Sequence, residues 1–277
     1  MSANAQQIEY WNGAVGERWA KMQERIDLVM NAITDGVIPF ANARSGERVL
    51  DVGCGCGTTT LLLAMKIAPE GKATGIDISA PMLAVAQARA QAQDADVHFV
   101  EADASAYDFQ PIFDLIFSRF GVMFFADPTA AFANIRRALA PNGRLAFVCW
   151  RALADNAWAS MPIEAAMPLL PPQEPTDPLA PGPFAFADRG RLQTILRDAG
   201  YRDVSIGPFD THMSMGATPH EAADQTLRIG PLARAVTELN DAAREKIRDV
   251  VAGVLTRYQS PSGITPPAAC WLVRART

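Results

Sequence analysis

Residues 49–57 read VLDVGCGCG: an apolar run carries Asp51 and then breaks into three glycines, Gly53, Gly55 and Gly57, ahead of a helix-like stretch at 58–67. A strand, a glycine turn and a helix N-terminus in that order make a ligand cradle. Glycine accepts the positive φ of a tight turn and lets backbone approach a ligand, while the free N–H groups opening the helix face whatever sits there. A dinucleotide fingerprint places its third glycine three residues beyond the second; here the spacing is one residue shorter, which argues against a nicotinamide dinucleotide. Asp51 argues the same way, because an acid at a strand tip repels a pyrophosphate and attracts an ammonium group.

Outward from this turn, strand and helix signals alternate. Strands are expected at 48–52, 72–78, 97–100, 113–118 and 144–150. Between them fall the helix at 58–67, one opened by Ser79 and Pro81, and one opened by Asp127 and Pro128 that carries Phe132, Ile135, Ala138 and Leu139 on one side. Such alternation predicts a parallel sheet in an α/β fold. Upstream, Ile8, Trp11, Val15, Trp19, Met22 and Ile26 recur at helical spacing, with breaks expected at Gly13 and Gly16 and a second helix over 28–41. Tyr10, Trp11 and Trp19 either pack onto the domain or cover the cradle.

Downstream, residues 161–183 hold eight prolines without a period, so an irregular excursion is expected there. A helix at 188–199 and a sixth strand at 203–209 follow. Thr218, Pro219 and Glu221 form a capping box for the next helix, Gly230-Pro231 restarts a short turn of helix, and Asp241 begins the last long one within an amphipathic stretch at 234–258, with Ile247, Val250, Val251, Val254, Leu255 and Tyr258 as its stripe. Residues 268–275 make a last strand.

The bulk numbers describe ordinary globular material: 277 residues, 49% hydrophobic, 20% charged, net charge −5 and a pI near 5.3. Without a basic patch the chain offers no electrostatic footprint for nucleic acid or an anionic membrane. No basic leader and no run long enough to span a bilayer is apparent, so a cytoplasmic location is expected. Cys54, Cys56, Cys149 and Cys270 read as small buried residues in a reducing compartment, and with His98, His212 and His220 the only histidines, no metal site is expected.

Three further marks say what the cradle takes. Asp77 ends the second strand twenty residues past Gly57, placed to accept from both hydroxyls of a ribose. Glu101-Ala102-Asp103-Ala104 follows the third strand and can meet an adenine amino group through Asp103. The fourth strand ends in Ser118-Arg119-Phe120, at the switch point of the sheet where ligands bind. An adenosine joined to an amino acid satisfies all of them together with Asp51, which describes S-adenosylmethionine.

These motifs resemble those of the class I S-adenosylmethionine-dependent methyltransferases: VLDVGCGCG the first, GIDIS with Asp77 the second, EADA with Asp103 the third. The stretch FADPTAAFANIRRALAPNGRLAF is similar to the helix and fifth strand of the ubiquinone and menaquinone C-methyltransferase type. The resemblance covers roughly residues 8 to 150 and implies a Rossmann-like seven-stranded sheet of order 3-2-1-4-5-7-6 with strand seven antiparallel. It further implies that Gly53, Cys54 and Gly55 line the methionine part, Asp77, Ile78 and Met82 the ribose and adenine, Asp103 and Ala104 the adenine rim, and Ser118 and Arg119 the inner wall, with Tyr10 or Trp19 from the cover. The expected organisation is a helical cover (1–45), a cofactor-binding core (46–150, 188–210 and 266–277) and two insertions, 151–187 and 211–265, that pack together as a helical lid.

The acceptor lies outside these motifs. An exocyclic base amine is disfavoured because Ser118-Arg119-Phe120-Gly121 replaces the Asn/Asp-Pro-Pro-aromatic motif, and 5-methylcytosine chemistry because no cysteine precedes Cys149 beyond strand four. A small, apolar or aromatic acceptor is expected against Phe120, Met123, Phe124, Phe125, Trp150 and Phe184 or Phe186, with Arg119 and Arg151 available to an acidic or phenolate group and His212 or His220 as candidate bases. The competing reading is a non-catalytic or regulatory protein that keeps the cradle. A homodimer is compatible with either.

Overall fold

The structure, a computed structural model, describes residues 4–172, 177 and 179–277. Its centre is a seven-stranded sheet. Strands β1 (Arg48–Val52), β2 (Lys72–Asp77), β3 (Val97–Glu101), β4 (Phe113–Arg119), β5 (Leu139–Trp150) and β6 (Arg202–His212) are joined by β9 (Pro267–Arg276) in the order β3-β2-β1-β4-β5-β9-β6. A two-residue hairpin, β7 (Gln259–Ser260) with β8 (Gly263–Ile264), precedes β9. Only β9, the seventh strand of the sheet, runs antiparallel to its neighbours β5 and β6, as the resemblance implies. Central β4 is buried from Leu115 through Ser118, the continuous apolar run of a parallel strand covered on both faces.

Helices α4 (Thr58–Ile67), α5 (Ala80–Ala92), α6 (Pro128–Arg136) and α8 (Arg189–Asp198) lie where the sequence places them. Their starts are chemically determined: Asp127 accepts from the Ala130 N–H (3.0 Å), Asp188 from the Arg191 N–H (2.6 Å), and both α5 and α6 carry proline in the first turn. Strand β5 begins five residues earlier than expected. Leu139 already pairs with Phe113, the chain bulges out through left-handed Asn142 (φ 66°), and Arg144 rejoins opposite Leu115.

The N-terminal helices break at Gly13 as expected, but the second break falls at Met22 and not at Gly16. They are α1 (Ala5–Asn12), α2 (Ala14–Lys21) and α3 (Gln23–Ala41), divided at Gly13 and Met22. Gly16 lies inside α2 because it is a packing glycine: a Cβ there would stand 1.8 Å from the Trp11 carbonyl oxygen and 2.9 Å from Ser79 Oγ. The excursion after β5 contains a helix, α7 (Ala157–Ala166), in which buried Trp158, Ala159, Pro162 and Ala166 repeat at helical spacing. Packing of that face overrides the breaking tendency of Pro162. Residues 173–176 and Pro178 of the proline-rich stretch lie outside the described residues.

Helix α9 (Pro219–Arg228) has the expected capping box: Thr218 Oγ1 accepts from the Glu221 N–H (3.2 Å) and the Glu221 carboxylate reaches back to the Ala217 N–H (2.9 Å). The short turn expected after Gly230-Pro231 is α10 (Pro231–Ala235), and the last long helix, α11 (Asp241–Leu255), begins at Asp241 as expected and is capped by Asn240. Ile247, Val251 and Leu255 are buried, but Val250 is 40% exposed and falls outside the stripe. Helix α11 packs on α7 and α9, so the two segments that interrupt the core touch each other.

Candidate functional site

A single cavity opens at the carboxyl ends of β1, β2 and β4 and is also bordered by α2, α3, α7 and the stretch from β6 to α10. Its first half is built on the glycine turn. Gly53, Gly55 and Gly57 all have positive φ (68°, 54° and 79°). A Cβ on Gly53 would meet Gly121 Cα at 2.6 Å, so two glycines on neighbouring strand tips pass each other backbone to backbone. Ser118 is fully buried behind them: its hydroxyl donates to the Val52 carbonyl (2.7 Å) and accepts from the Gly121 N–H (3.2 Å). It therefore ties β1 to β4 and does not face the cavity as expected.

Asp77 does face the cavity, and both its oxygens are anchored: Oδ2 accepts from the Gly55 N–H (2.7 Å) and Oδ1 from the Ser79 N–H (2.9 Å). Burial raises its pKa while those backbone donors oppose the rise. Asp51 lies just behind the cavity wall. Its Oδ2 accepts from the hydroxyls of Thr59 and Thr60 (both 2.7 Å), its Oδ1 is buried with no hydrogen-bond partner, and burial pushes the carboxyl up to about 6 against the pull of those hydroxyls and of Arg119. Asp103 repeats the pattern: Oδ1 accepts from the Ser105 N–H (2.9 Å) and Oδ2 is buried and unpartnered. Cys54, Ile78, Met82 and Ala104 line the same half.

Helix α3 adds charged residues that the motifs do not mark. Asp27 lines the cavity and accepts from the Thr58 hydroxyl (2.6 Å), from Arg89 (3.1 Å) and from Gln23, while Arg89 also donates to the Cys56 carbonyl (2.8 Å). This clamp fixes α3 to the N-terminus of α4. Arg119 also lines the cavity and donates to Thr34 on α3 (2.6 Å). Burial lowers its pKa against the opposing pull of Asp27 and Asp51. Asp27 lies in the amphipathic α3 run, where an acid reads as solvent-facing, so only its three-dimensional partners mark it.

The other half of the cavity is apolar. Phe120 stacks on Trp150 (centroids 4.2 Å, planes 9° apart), Trp150 packs on Trp158 (4.8 Å), and Phe124 meets the edge of Trp11 (5.3 Å), which in turn contacts Trp19 (5.6 Å). Met123, Phe125, Pro183, Met213, Met215, Ile229 and Pro231 complete the wall. Phe120 holds φ at 65°, a left-handed conformation that turns the chain out of β4 just before Gly121.

Several expected residues lie elsewhere. Tyr10 is 37% exposed with its ring against the edge of Trp11, which borders the cavity in its place. His212 is exposed at the end of β6, outside the cavity, whereas Met213 and Met215 turn inward. His220 is exposed near Asp249 (3.7 Å). Arg151 is held by Asp210 (2.8 Å) and Asp155 (3.2 Å) over the Trp271 ring, away from the cavity. Phe186 is buried against Phe132 in the core, and neither it nor Phe184 lines the wall. Among the described residues no group of three acidic, histidine or cysteine side chains is arranged to hold a metal ion.

Comparisons with known proteins agree with this geometry. Residues 49–143 match the methyltransferase-domain family. The chain is 34% identical over 136 residues to a demethylmenaquinone methyltransferase of Thermus thermophilus, spanning 46% of this chain and 61% of that protein's length. It is 24% identical over 223 residues to one from Staphylococcus aureus, covering 75% of this chain and 90% of that protein. Among solved structures it superimposes on the YcgJ protein of Bacillus subtilis with a TM-score of 0.58 at 18% identity, covering 88% of this chain and 97% of the other. A Haemonchus contortus phosphoethanolamine N-methyltransferase 2 in complex with S-adenosylmethionine gives 0.54 at 20% identity, covering 88% of this chain and 52% of the other.

Proposed function

The chain carries a class I, S-adenosylmethionine-dependent methyltransferase domain, and from that premise we propose that it transfers a methyl group to a small, largely apolar acceptor held in the aromatic half of the cavity. The observation that carries this reading is the adjacency of two unlike halves. One has a glycine turn with the Asp77 and Asp103 carboxylates at its wall and the Asp51 carboxylate just behind it; the other is walled by aromatic rings and methionines.

The polar half fits the cofactor. Asp51 Oδ1 and Asp103 Oδ2, buried without partners, are acceptors awaiting an ammonium group and an adenine amino group. Asp77 keeps a second lone pair on each oxygen for ribose hydroxyls. Gly53, Cys54 and Gly55 leave backbone room for the methionine part, Ile78, Met82 and Ala104 flank the base, and Arg119 with Trp19 closes the inner side. When bound, S-adenosylmethionine supplies an electrophilic methyl group on its sulfonium for in-line displacement.

At the apolar half the chain's own task is alignment and water exclusion, which can contribute ~7–11 kcal/mol as effective molarity. No histidine, lysine, glutamate or tyrosine lines the cavity among the described residues. An acceptor that attacks through carbon, or through an oxygen that ionises by itself, suits such a wall best. Relatives named for demethylmenaquinone make a reduced naphthoquinone ring the first acceptor to try. Residues 151–187 and 211–265 act in this reading as a lid over the acceptor and 1–45 as a cover. Arg25 bridges them, donating to Gln225 Oε1 (3.1 Å) and the Met215 carbonyl (3.0 Å).

The test is transfer of labelled methyl from S-adenosylmethionine to naphthohydroquinones, benzohydroquinones and phenols. Label in an extractable apolar product, lost in Phe120→Ala, is the expected result. Tight cofactor binding with no transfer to any acceptor would favour the non-catalytic reading, which nothing in the comparisons favours.

A further inference from the structure

The segment after β5 carries one residue that reaches the cavity as a large aromatic ring, Trp158 of α7, and one buried polar residue devoted to holding it, Asn156. Asn156 is fully buried and uses its whole amide. Its Nδ2 donates to the carbonyls of Ala152 (3.0 Å) and Ala269 (3.1 Å), and its Oδ1 accepts from the Ala269 N–H (2.9 Å) and from the Trp158 indole Nε1–H (3.0 Å). The start of α7 and the orientation of the indole are thereby both referred to β9, the rigid antiparallel strand of the sheet.

The indole in turn stands between two walls. One is Trp150, itself stacked on Phe120 beside the glycine turn; the other is the α9–α10 junction, where a Cβ on Gly230 would come 3.3 Å from Trp158 Cζ3. Contacts therefore run outward from the glycine turn through Phe120, Trp150 and Trp158 to Gly230, whose φ of 103° suits glycine. A ring with two χ angles, hydrogen-bonded through its indole N–H and packed against Trp150, is a rigid stop and not an adaptable contact.

We propose that Trp158 sets the length of acceptor the cavity takes, and that Asn156 is the positioning residue that fixes it in place. The inference deepens the methyl-transfer reading above and rests on it for what the cavity holds. It does not depend on where the methyl group goes.

The experiment uses the full chain and a ladder of probes, 4-methylphenol to 4-octylphenol, titrated calorimetrically with and without saturating S-adenosylhomocysteine. Wild-type affinity should rise with each methylene and then fall beyond a definite length. Trp158→Ala should move that break by two or more methylenes and tighten 4-octylphenol at least tenfold. Trp158→Phe keeps a ring but cannot donate to Asn156; it should blur the break, shrinking the contrast across it at least threefold, with S-adenosylhomocysteine affinity within twofold of wild type. An unmoved break in either folded variant, or a wild-type protein that takes no alkylphenol, overturns the proposal. Absence of S-adenosylhomocysteine binding overturns the methyltransferase reading instead, and the titrations without it still decide the role of Trp158.

Discussion

Asp51 is the residue whose environment has the plainest thermodynamic consequence. Its carboxyl titrates at about 6 in the fold against 3.8 in an open chain, because burial penalises the anion. The folded state therefore holds the proton more tightly, and stability conferred by the protonated carboxyl is lost as pH rises from 3.8 through about 6. The shift corresponds to about 3 kcal/mol. Urea midpoints of wild type and Asp51→Asn, followed from pH 4 to 7, should diverge in favour of the Asn protein as pH rises; parallel profiles would contradict this. An ammonium group beside Oδ1 favours the anion. S-adenosylhomocysteine binding should accordingly tighten between about pH 5 and 7 with release of a proton, read as buffer-dependent heats, and Asp51→Asn should remove that dependence. That Asp77 and Asp103 stand at the cavity wall, with Asp51 behind it, was legible in the sequence because each stands at a fixed offset from a strand end. His212 and Tyr10 misled because chemistry ranks side chains without saying which way they face: one residue along β6 reverses the face, and one residue along α1 turns about 100°. Their neighbours Met213 and Trp11 occupy the cavity wall.

At the scale of elements, the strand–turn–helix around Gly53 leaves no space for a side chain. Gly53→Ala places a Cβ 2.6 Å from Gly121 Cα at a φ of 68°. It should cost about 1–3 kcal/mol from backbone strain alone and abolish cofactor binding, seen as a lowered melting temperature that S-adenosylhomocysteine no longer raises. Helix α9 offers a gentler test. Thr218→Ala removes the cap and should cost about 1 kcal/mol, with faster amide exchange confined to α9 and the helices it touches; unchanged exchange there would show that the cap does not anchor the segment. The core helices and strands were readable from period and capping residues. Helix α7 was not, since Pro162 hides a buried face that only tertiary packing supports. The division of residues 5–41 was misread as well, because Gly16 serves close packing and not a break.

For the whole molecule, the strand order with β9 reversed is the one the motif resemblance implies, and the sheet has it. The segments between β5 and α8 and between β6 and β9 supply Trp158, Pro183, Met213, Met215, Ile229 and Pro231 to the apolar wall. Their role was out of reach of motif reading because it depends on contacts among α7, α9 and α11, far apart in sequence. In the function proposed here, the glycine-turn half of the cavity holds S-adenosylmethionine. Calorimetric titration with S-adenosylhomocysteine tests it most directly: one site per chain, affinity weakened at least tenfold by Asp77→Ala and unchanged by His212→Ala, is the predicted result. Absence of binding by the folded wild-type protein, or affinity indifferent to Asp77→Ala, would contradict it.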